Sequence, residues 1–567
     1  MAVLKNMRKR HPSAGMLLDI VSLSTDIAHA PAADRAKPVG RVAGAPSERA
    51  AAAPQMTVVA APVAKPALHL VGGEPSPWDV AAATPEPIEA DTPEPDRAEP
   101  PGGELVAFEV MDESTGGLHP HLRGSKTVSV ISRLLQLVCI LYGVALLYWI
   151  WMAKDLSVGL VINDPLFGTY SILVTLYVLT RFCLAPFYRP TPDTGHRPSA
   201  SIVIPAFNEQ AVIGQTVDAC YAADYPDGRL EVVAVDDGSS DGTWEELLNA
   251  RKRHPSLVCI QFSHNRGKRA AMAEGIRRST GDVCVFIDSD SVIEQSGLNH
   301  IMADFRDERV GAVVGTADVL NKGQNLITKM QQVRYYVAFR VIKGSESIFG
   351  AVTCASGCFS AYRRTALLGI LDKWENQQFL GRKATYGDDR ALTNMILRDH
   401  RVTFQSNARS HTIAPHDMRT FLVQQLRWKK SWLRESLYVV RYIWRKHPVA
   451  AAMTYMSVIF PWVAPIVVFH ALYWRSLGAG DPWFYIMGAY VMALLYSLYY
   501  AVSRRSPIWY HGITFIVIYM VVLVWQTYYA VITLRNTKWG TRSSSHNEGA
   551  GEVTVMGPGD GEFKVAA

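Results

Sequence analysis

Acidic residues in this chain stand where apolar runs stop. Val283-Cys284-Val285-Phe286-Ile287 runs directly into Asp288-Ser289-Asp290. A buried strand ending there presents oxygen ligands at its carboxyl end, where open α/β sheets bind their ligands. Two hard carboxylates suit Mg2+ or Mn2+, which keeps its waters and bridges protein to phosphate. Val232-Val233-Ala234-Val235 likewise ends in Asp236-Asp237-Gly238-Ser239. An Asp at such a strand end can accept from a base N–H or a ribose hydroxyl, and Gly238 lets a ligand approach the backbone. Asn265-Arg266-Gly267-Lys268-Arg269 sets cations beside a glycine at the start of a helical stretch, an arrangement suited to a diphosphate. Further on, Gly387-Asp388-Asp389-Arg390 puts two carboxylates before a helix, and Gln424-Gln425-Leu426-Arg427-Trp428 combines an amide, a guanidinium and an indole. Transfer of a sugar from a nucleotide needs each of these: a carboxylate to take the acceptor's proton, cations for the leaving diphosphate, and an aromatic platform for a sugar face. Taken singly, each has a plainer explanation: a surface turn, a solvated basic face, a helix cap at Asp389, an interface anchor at Trp428.

The elements that must position these residues form a mixed pattern. Residues 199–415 alternate short β-branched runs, at 201–205, 230–235, 282–287 and 311–316, with helical-period segments, which predicts an α/β domain on a mostly parallel sheet. Around it lie five apolar runs of membrane length, at 131–152, 166–187, 450–474, 483–502 and 508–534. Arg123, Lys126 and Arg133 precede the first run and Arg189 follows the second, with only Lys154 between, so both outer ends of this hairpin are expected on the cytoplasmic side. Residues 418–447 mix Trp428, Trp432, Leu433 and Trp444 with Arg427, Lys429, Lys430 and Arg434 at helical spacing, the pattern of an interfacial amphipathic helix. Three crossings after the α/β domain put Arg535, Lys538 and Arg542 outside, against the positive-inside rule, so one late segment is expected to be broken or re-entrant.

Composition bounds the rest. With 49% hydrophobic residues over 567 and a net charge of +6, the chain is too apolar for an ordinary soluble enzyme, and it has no dense basic run interleaved with aromatics for nucleic acid. Seven cysteines show no C-x-x-C pair, which argues for reduced thiols and against zinc or disulfides. Residues 1–125 are Ala, Pro and charge, expected to form a disordered cytoplasmic tail without a secretory signal. Residues 535–567 are expected to be a flexible tail.

The order Asp236-Asp237, Asp288-x-Asp290, Asp388-Asp389, Gln424-x-x-Arg427-Trp428 resembles the D, DxD, (E/D)D, QxxRW series of processive inverting β-glycosyltransferases of family 2: cellulose, chitin and hyaluronan synthases and the nodulation chitin-oligosaccharide synthases. The resemblance covers about residues 130–545. Residues 354–364, 386–394 and 425–435, with Trp539-Gly540-Thr541-Arg542, look most like hyaluronan synthases, while Cys358 stands where that family usually has Pro in Ser-Gly-Pro. The resemblance implies a GT-A-like (Rossmann-like) domain, cytoplasmic and inserted between transmembrane helices of the inner membrane. It further implies uridine contacts at Asp236 and Asp237, donor binding by Lys268, Arg427 and Gln424, and a metal at Asp290 with Asp288. Asp389, beside Asp388, is implied as the general base, with Trp428, Ser356, Gly357 and Cys358 on the acceptor side. The implied partners are UDP-sugars, UDP-GlcNAc with UDP-glucuronate for hyaluronan, the growing polysaccharide and the bilayer. A β-1,4-GlcNAc polymer or oligomer, or transfer to a lipid carrier, is the alternative.

Overall fold

Apolar runs that alternate with turn residues become the strands of a ten-stranded sheet in the computed structural model, which describes residue 141 and residues 164–476, 482–535, 552–557 and 562–566. The expectations for residues 1–125, for the apolar run 131–152 apart from residue 141, and for Trp539-Gly540-Thr541-Arg542 lie outside the described residues. The strands are β1 (Ala200–Ala206), β2 (Leu230–Asp236), β3 (Val258–Phe262), β4 (Val283–Phe286), β5 (Ser291–Ile293), β6 (Val310–Val319), β7 (Ser360–Arg363), the small hairpin β8 (Gln378–Phe379) and β9 (Arg382–Lys383), β10 (Arg401–Thr412), β11 (Glu552–Met556) and β12 (Glu562–Ala566). The large sheet runs β12-β11-β3-β2-β1-β4-β7-β6-β10-β5. It is parallel across β3-β2-β1-β4 and between β6 and β10, and antiparallel where β7 enters between β4 and β6 and at both edges.

Both faces of the central strands are covered, which is why they read as continuous apolar runs instead of alternating ones. Ile202 and Ile204 of β1 pack under α2 (Ile213–Tyr221) and α3 (Thr243–Arg253). Val203, between them, faces the opposite layer of α4 (Lys268–Arg278). On that side a further helix, α6 (Asp388–Asp399), packs Ala391, Leu392 and Ile396 into the same cluster. Between them in the chain lies α5 (Leu326–Val337), started by a capping box in which Asn325 and Thr328 satisfy each other's backbone N–H.

The amphipathic segment is a helix, α7 (Met418–Val439), begun by Asp417, whose carboxylate accepts from Thr420 N at 2.8 Å. Among the described residues, three helices are long and apolar enough to cross a membrane: α1 (Pro165–Leu184), α8 (Pro448–Ser476) and α9 (Pro482–Arg504). Their outward Ile172, Leu176 and Phe469 are exposed, a surface that suits lipid better than water. The last apolar segment differs: α10 (His511–Ile518), a π turn over Tyr519–Leu523 and α11 (Gln526–Ile532) form a pair bent by 43°. Both of its ends touch the α/β domain. Arg504, just before it, pairs with Asp318 at 2.7 Å, and a Cβ on Gly512 would lie 3.0 Å from Val333 of α5. After it, Tyr386 and Arg382 donate to the carbonyls of Leu534 and Arg535 at 3.4 and 3.3 Å.

One expectation is corrected here. Within the tail expected to be flexible, β11 and β12 pair as a hairpin, and β11 adds antiparallel to the free edge of β3. The cause is apolar: Val553 and Val555 complete a cluster of Val233, Val235, Ile260, Phe262 and Ala271 that the sheet otherwise leaves open. Removing residues 552–567 is therefore expected to lower Tm, since burial of one Val contributes about 1.5–3 kcal/mol; an unchanged melting curve would mean the hairpin adds nothing to stability.

Between β3 and α4, the loop is fixed by the residue after β2. Asp237, 2% exposed, accepts from Arg266 N at 2.7 Å and from Gly267 N at 2.9 Å. Burial pushes its carboxyl up to about 7 against the pull of those two N–H groups. The folded chain thus holds a proton that the unfolded chain, at 3.8, releases earlier, and stability falls as pH rises from about 4 to about 7 and levels off above. In Asp237→Asn that fall is expected to be shallower by one proton's share, read as Tm against pH; slopes that match wild type would show Asp237 ionised throughout.

Candidate active site

The parallel register brings three acidic strand ends to one edge of the sheet, because Ala206 of β1 lies beside Asp236 of β2 and Val203 beside Phe286 of β4. There the loops after β1 and β2 are laced together: Asn208, at φ +54°, donates its N–H to Ser239 Oγ and accepts from Ser240 N, both at 2.9 Å. Asp236 is wholly buried and spent on this turn, accepting from Ser239 N at 3.1 Å and from Gln261 Nε2 at 3.3 Å. Gly238, at φ +68°, has no room for a Cβ against the backbone of His264 and Asn265. Asp236 and Asp237 therefore shape the nucleotide-side loops through backbone contacts.

Lys268 opens α4 and forms an ion pair with Asp288. Burial works against its charge, but Asp288 first and then Asp388 and Asp389 hold the ammonium above the ordinary lysine value. Gly357 packs against the same carboxylate; a Cβ there would sit 2.9 Å from Asp288 Oδ1. Asp290 lies one residue beyond, its Oδ1 accepting from Thr412 at 3.3 Å. Cys358 sits among Asp288, Asp290 and Lys268, and burial with those carboxylates raises its thiol pKa.

The two aspartates that open α6 have different surroundings. Asp388 is buried in an ion pair with Arg269, Nε to Oδ1 at 2.8 Å, while its backbone carbonyl accepts from Trp374 Nε1 at 3.2 Å. Asp389 is half-buried, with Cys354 Sγ 3.7 Å from its Oδ2 and Arg390 N donating to its Oδ1 at 2.8 Å. Burial, then Asp389, pushes the Cys354 thiol up to about 11. Gly387, at φ +75°, makes the turn, and a Cβ there would collide with Ser431 of α7. This closes the turn that bears Asp389 onto the helix that carries Trp428.

On α7, Trp428 is 38% exposed and lies 6.3 Å, centroid to centroid, from Tyr335 of α5. Arg427 and Asp290 both act electrostatically on Tyr335, which places both near one phenol. Gln424 Oε1 is buried without a hydrogen-bond partner. Ser356 accepts from Lys343 Nζ. Lys268, Asp288, Asp290, Asp389, Ser356, Gly357, Cys358, Arg427 and Trp428 are thus linked by neighbouring contacts into one cluster, whereas Asp236, Asp237 and Asp388 are buried beside it. Three residues that no motif marks join it: Arg334, Tyr335 and Lys343. Lys343 ends a π turn over Ala338–Lys343, and its ammonium, 3.9 Å from the Phe339 ring centroid, is pulled below the usual lysine range by burial. Only Arg334 carries a sequence signal, a cation on a helix with no acidic residue at i±3 or i±4, whereas Lys343 has Glu346 at i+3 and Tyr335 reads as an ordinary aromatic.

The chain is similar to several known proteins. Residues 201–370 match the model of glycosyl transferase family 2. A hyaluronan synthase of Streptococcus pyogenes serotype M3 is 31% identical over 405 residues, 68% of this chain and 94% of that protein. An N-acetylglucosaminyltransferase of Rhizobium meliloti is 30% identical over 402 residues, 68% of this chain and 92% of its own length. Among solved structures, the mannosyltransferase PcManGT of Pyrobaculum calidifontis aligns with 66% of this chain and 99% of its own at 19% identity and a TM-score of 0.44. With relatives of that identity matched over nearly their whole length, and with membrane helices beside a glycosyltransferase domain, the chain belongs to glycosyl transferase family 2, among its membrane polysaccharide synthases.

Proposed function

We propose that this protein is a processive, inverting β-glycosyltransferase that polymerises UDP-sugars, UDP-GlcNAc with UDP-glucuronate, into an exported polysaccharide of the hyaluronan type. The observation that carries this reading is Lys268, held by Asp288 on one side and within electrostatic reach of Asp389 on the other. Base, diphosphate cation and metal carboxylate then share one point. In the proposed reaction Asp389 takes the proton of the acceptor hydroxyl. That oxygen bonds to the anomeric carbon from the face opposite UDP, and the bond to the β-phosphate oxygen breaks with its electron pair leaving on UDP. Lys268 and Arg427 receive the diphosphate charge. Trp428 offers the acceptor sugar an apolar face.

Asp288 and Asp290 fit a divalent cation. Two half-buried carboxylates with glycine backbone against them are too few for an all-protein cage, and no group of three such ligands occurs among the described residues. That suits Mg2+ or Mn2+, which keeps waters and completes its shell on phosphate oxygens. When bound, such an ion would neutralise charge on the departing diphosphate.

Contacts at both ends of the bent pair support a re-entrant last segment, with α8 and α9 as the two crossings after the α/β domain. Arg504, Arg505 and Arg535 then share the catalytic side, as the positive-inside rule asks of a cytoplasmic domain at the inner membrane. Cys358 and the similarity to an N-acetylglucosaminyltransferase favour a second reading, a β-linked GlcNAc polymer or oligomer.

Two outcomes are expected. Asp389→Asn abolishes UDP release while keeping UDP binding and Tm. Asp388→Asn, which leaves Arg269 buried without its partner, lowers stability by about 3–5 kcal/mol; equal loss of Tm in both would remove the division of roles. Secondly, detergent-purified protein with a divalent metal makes hyaluronidase-sensitive polymer only when UDP-GlcNAc and UDP-glucuronate are both present. Chitinase-sensitive product from UDP-GlcNAc alone would establish the second reading, and product extracted into organic solvent would point to a lipid acceptor.

A further inference from the structure

Beyond Trp428, away from the acidic strand ends, two cations lie close together with no carboxylate beside them. Arg334 of α5 has its Cζ 5.6 Å from the Trp428 ring centroid and 4.6 Å from that of Phe515 on α10. It donates to Gln425 Oε1 at 2.9 Å. Lys429, the residue after Trp428, donates to the carbonyl of Leu523 and to Thr527 Oγ1, the latter at 3.2 Å, and sits 5.8 Å from the Tyr519 ring centroid. Among the described residues neither takes part in an ion pair. Each feels the lack: burial pulls Arg334 below its ordinary value, and burial followed by the Arg334 charge pulls Lys429 down to about 8.

Placing two like charges in such surroundings is costly unless an anion joins them. A second observation points the same way. Gln425 is 4% exposed, yet its Nε2 has no hydrogen-bond partner, so a buried donor beside Arg334 waits for an acceptor. Arg334 and Lys429 keep accessible surface although α5, α7 and the bent pair pack around them, so an anion can reach them. They adjoin the ring proposed to hold the acceptor sugar and lie against the bent pair.

We propose that Arg334, Lys429 and Gln425 form a binding site for the carboxylate groups of the growing chain as it leaves Trp428. The site rests on the polymerase reading above and selects the acidic polymer over a neutral one, because only a uronate-containing chain brings the anion that these groups lack. Arg334 stacks over the same indole that would carry a sugar, so a carboxylate on that sugar or its neighbour meets the guanidinium, while the Gln425 amide donates to its second oxygen. Lys429 takes the next position along α7.

The test is binding of purified full-length protein, in neutral detergent, to acidic GlcNAc–glucuronate oligosaccharides and to GlcNAc oligomers of equal length, followed by tryptophan fluorescence. Wild type is expected to bind the acidic series at least tenfold more tightly, with the preference shrinking as salt rises. Lys429→Met is expected to reduce that preference several-fold and to shorten polymer made from both donors, and Lys429→Arg to restore both. Equal affinities for the two series in wild type, or a preference untouched by Lys429→Met in protein of unchanged Tm, overturns the site. Failure of the polymerase reading shows separately, as absence of UDP release from any donor.

Discussion

One buried ion pair sets the geometry on which the catalytic centre depends. Arg269 follows Lys268 at the start of α4, and Asp388 precedes Asp389 at the start of α6, so the Arg269–Asp388 bond fixes the diphosphate-side cation against the proposed base. Trp374 underlies the pair: Arg269 lies 5.1 Å from its ring centroid and donates to its carbonyl at 2.8 Å, while its indole N–H holds the Asp388 carbonyl. A buried pair is a weak source of net stability, because desolvation offsets most of its attraction. Its value here is registration. Two helices from opposite parts of the domain can slide only by breaking a bond that neither partner can replace with water.

The membrane side of the centre is held by a comparable device. Gly387 forces α6 to begin against α7, and Arg434 of α7 donates to the carbonyl of Tyr386 at 2.6 Å, so the helix bearing Trp428 is registered against the base-bearing turn. In turn, α7 is tied to the bent pair through Lys429 and through Gln526, which donates to the Leu422 carbonyl at 3.1 Å. The proposed base, the proposed sugar platform and the bent pair thus form one mechanical chain. The bend near Tyr519–Leu523 falls at a π turn, which frees the Leu523 carbonyl for Lys429.

Much of this was legible in the sequence because strand ends obey a simple rule. Parallel strands align their carboxyl ends, so an apolar run ending in Asp236-Asp237 and another ending in Asp288-Ser289-Asp290 had to meet at one edge. The division of labour within each aspartate pair was not legible. Asp388 and Asp389 stand about 100° apart around a helix, and only the position of Arg269, more than a hundred residues earlier, decides which is buried. The β11–β12 hairpin escaped for a related reason: its short Val-x-Val pattern has meaning only beside the open edge of β3, about 290 residues away. Arg334 was hidden because a cation on a helix reads as part of a solvated face until the bent pair packs against it.

Processive synthesis imposes an opposing pair of demands on whatever grips the product. Trp428, as the proposed acceptor platform, would hold the terminal sugar through a transfer, yet the chain would have to advance by one residue afterwards. Stacking and half-buried cation–carboxylate contacts meet both, since a partly hydrated ion pair contributes on the order of 0–1 kcal/mol and exchanges readily with the next one. A fully desolvated pair would hold several kcal/mol more tightly and stall the chain. The exposure that Arg334 and Lys429 retain is therefore as important as their charge, much as a conduction pathway must bind well enough to admit its ion and weakly enough to release it.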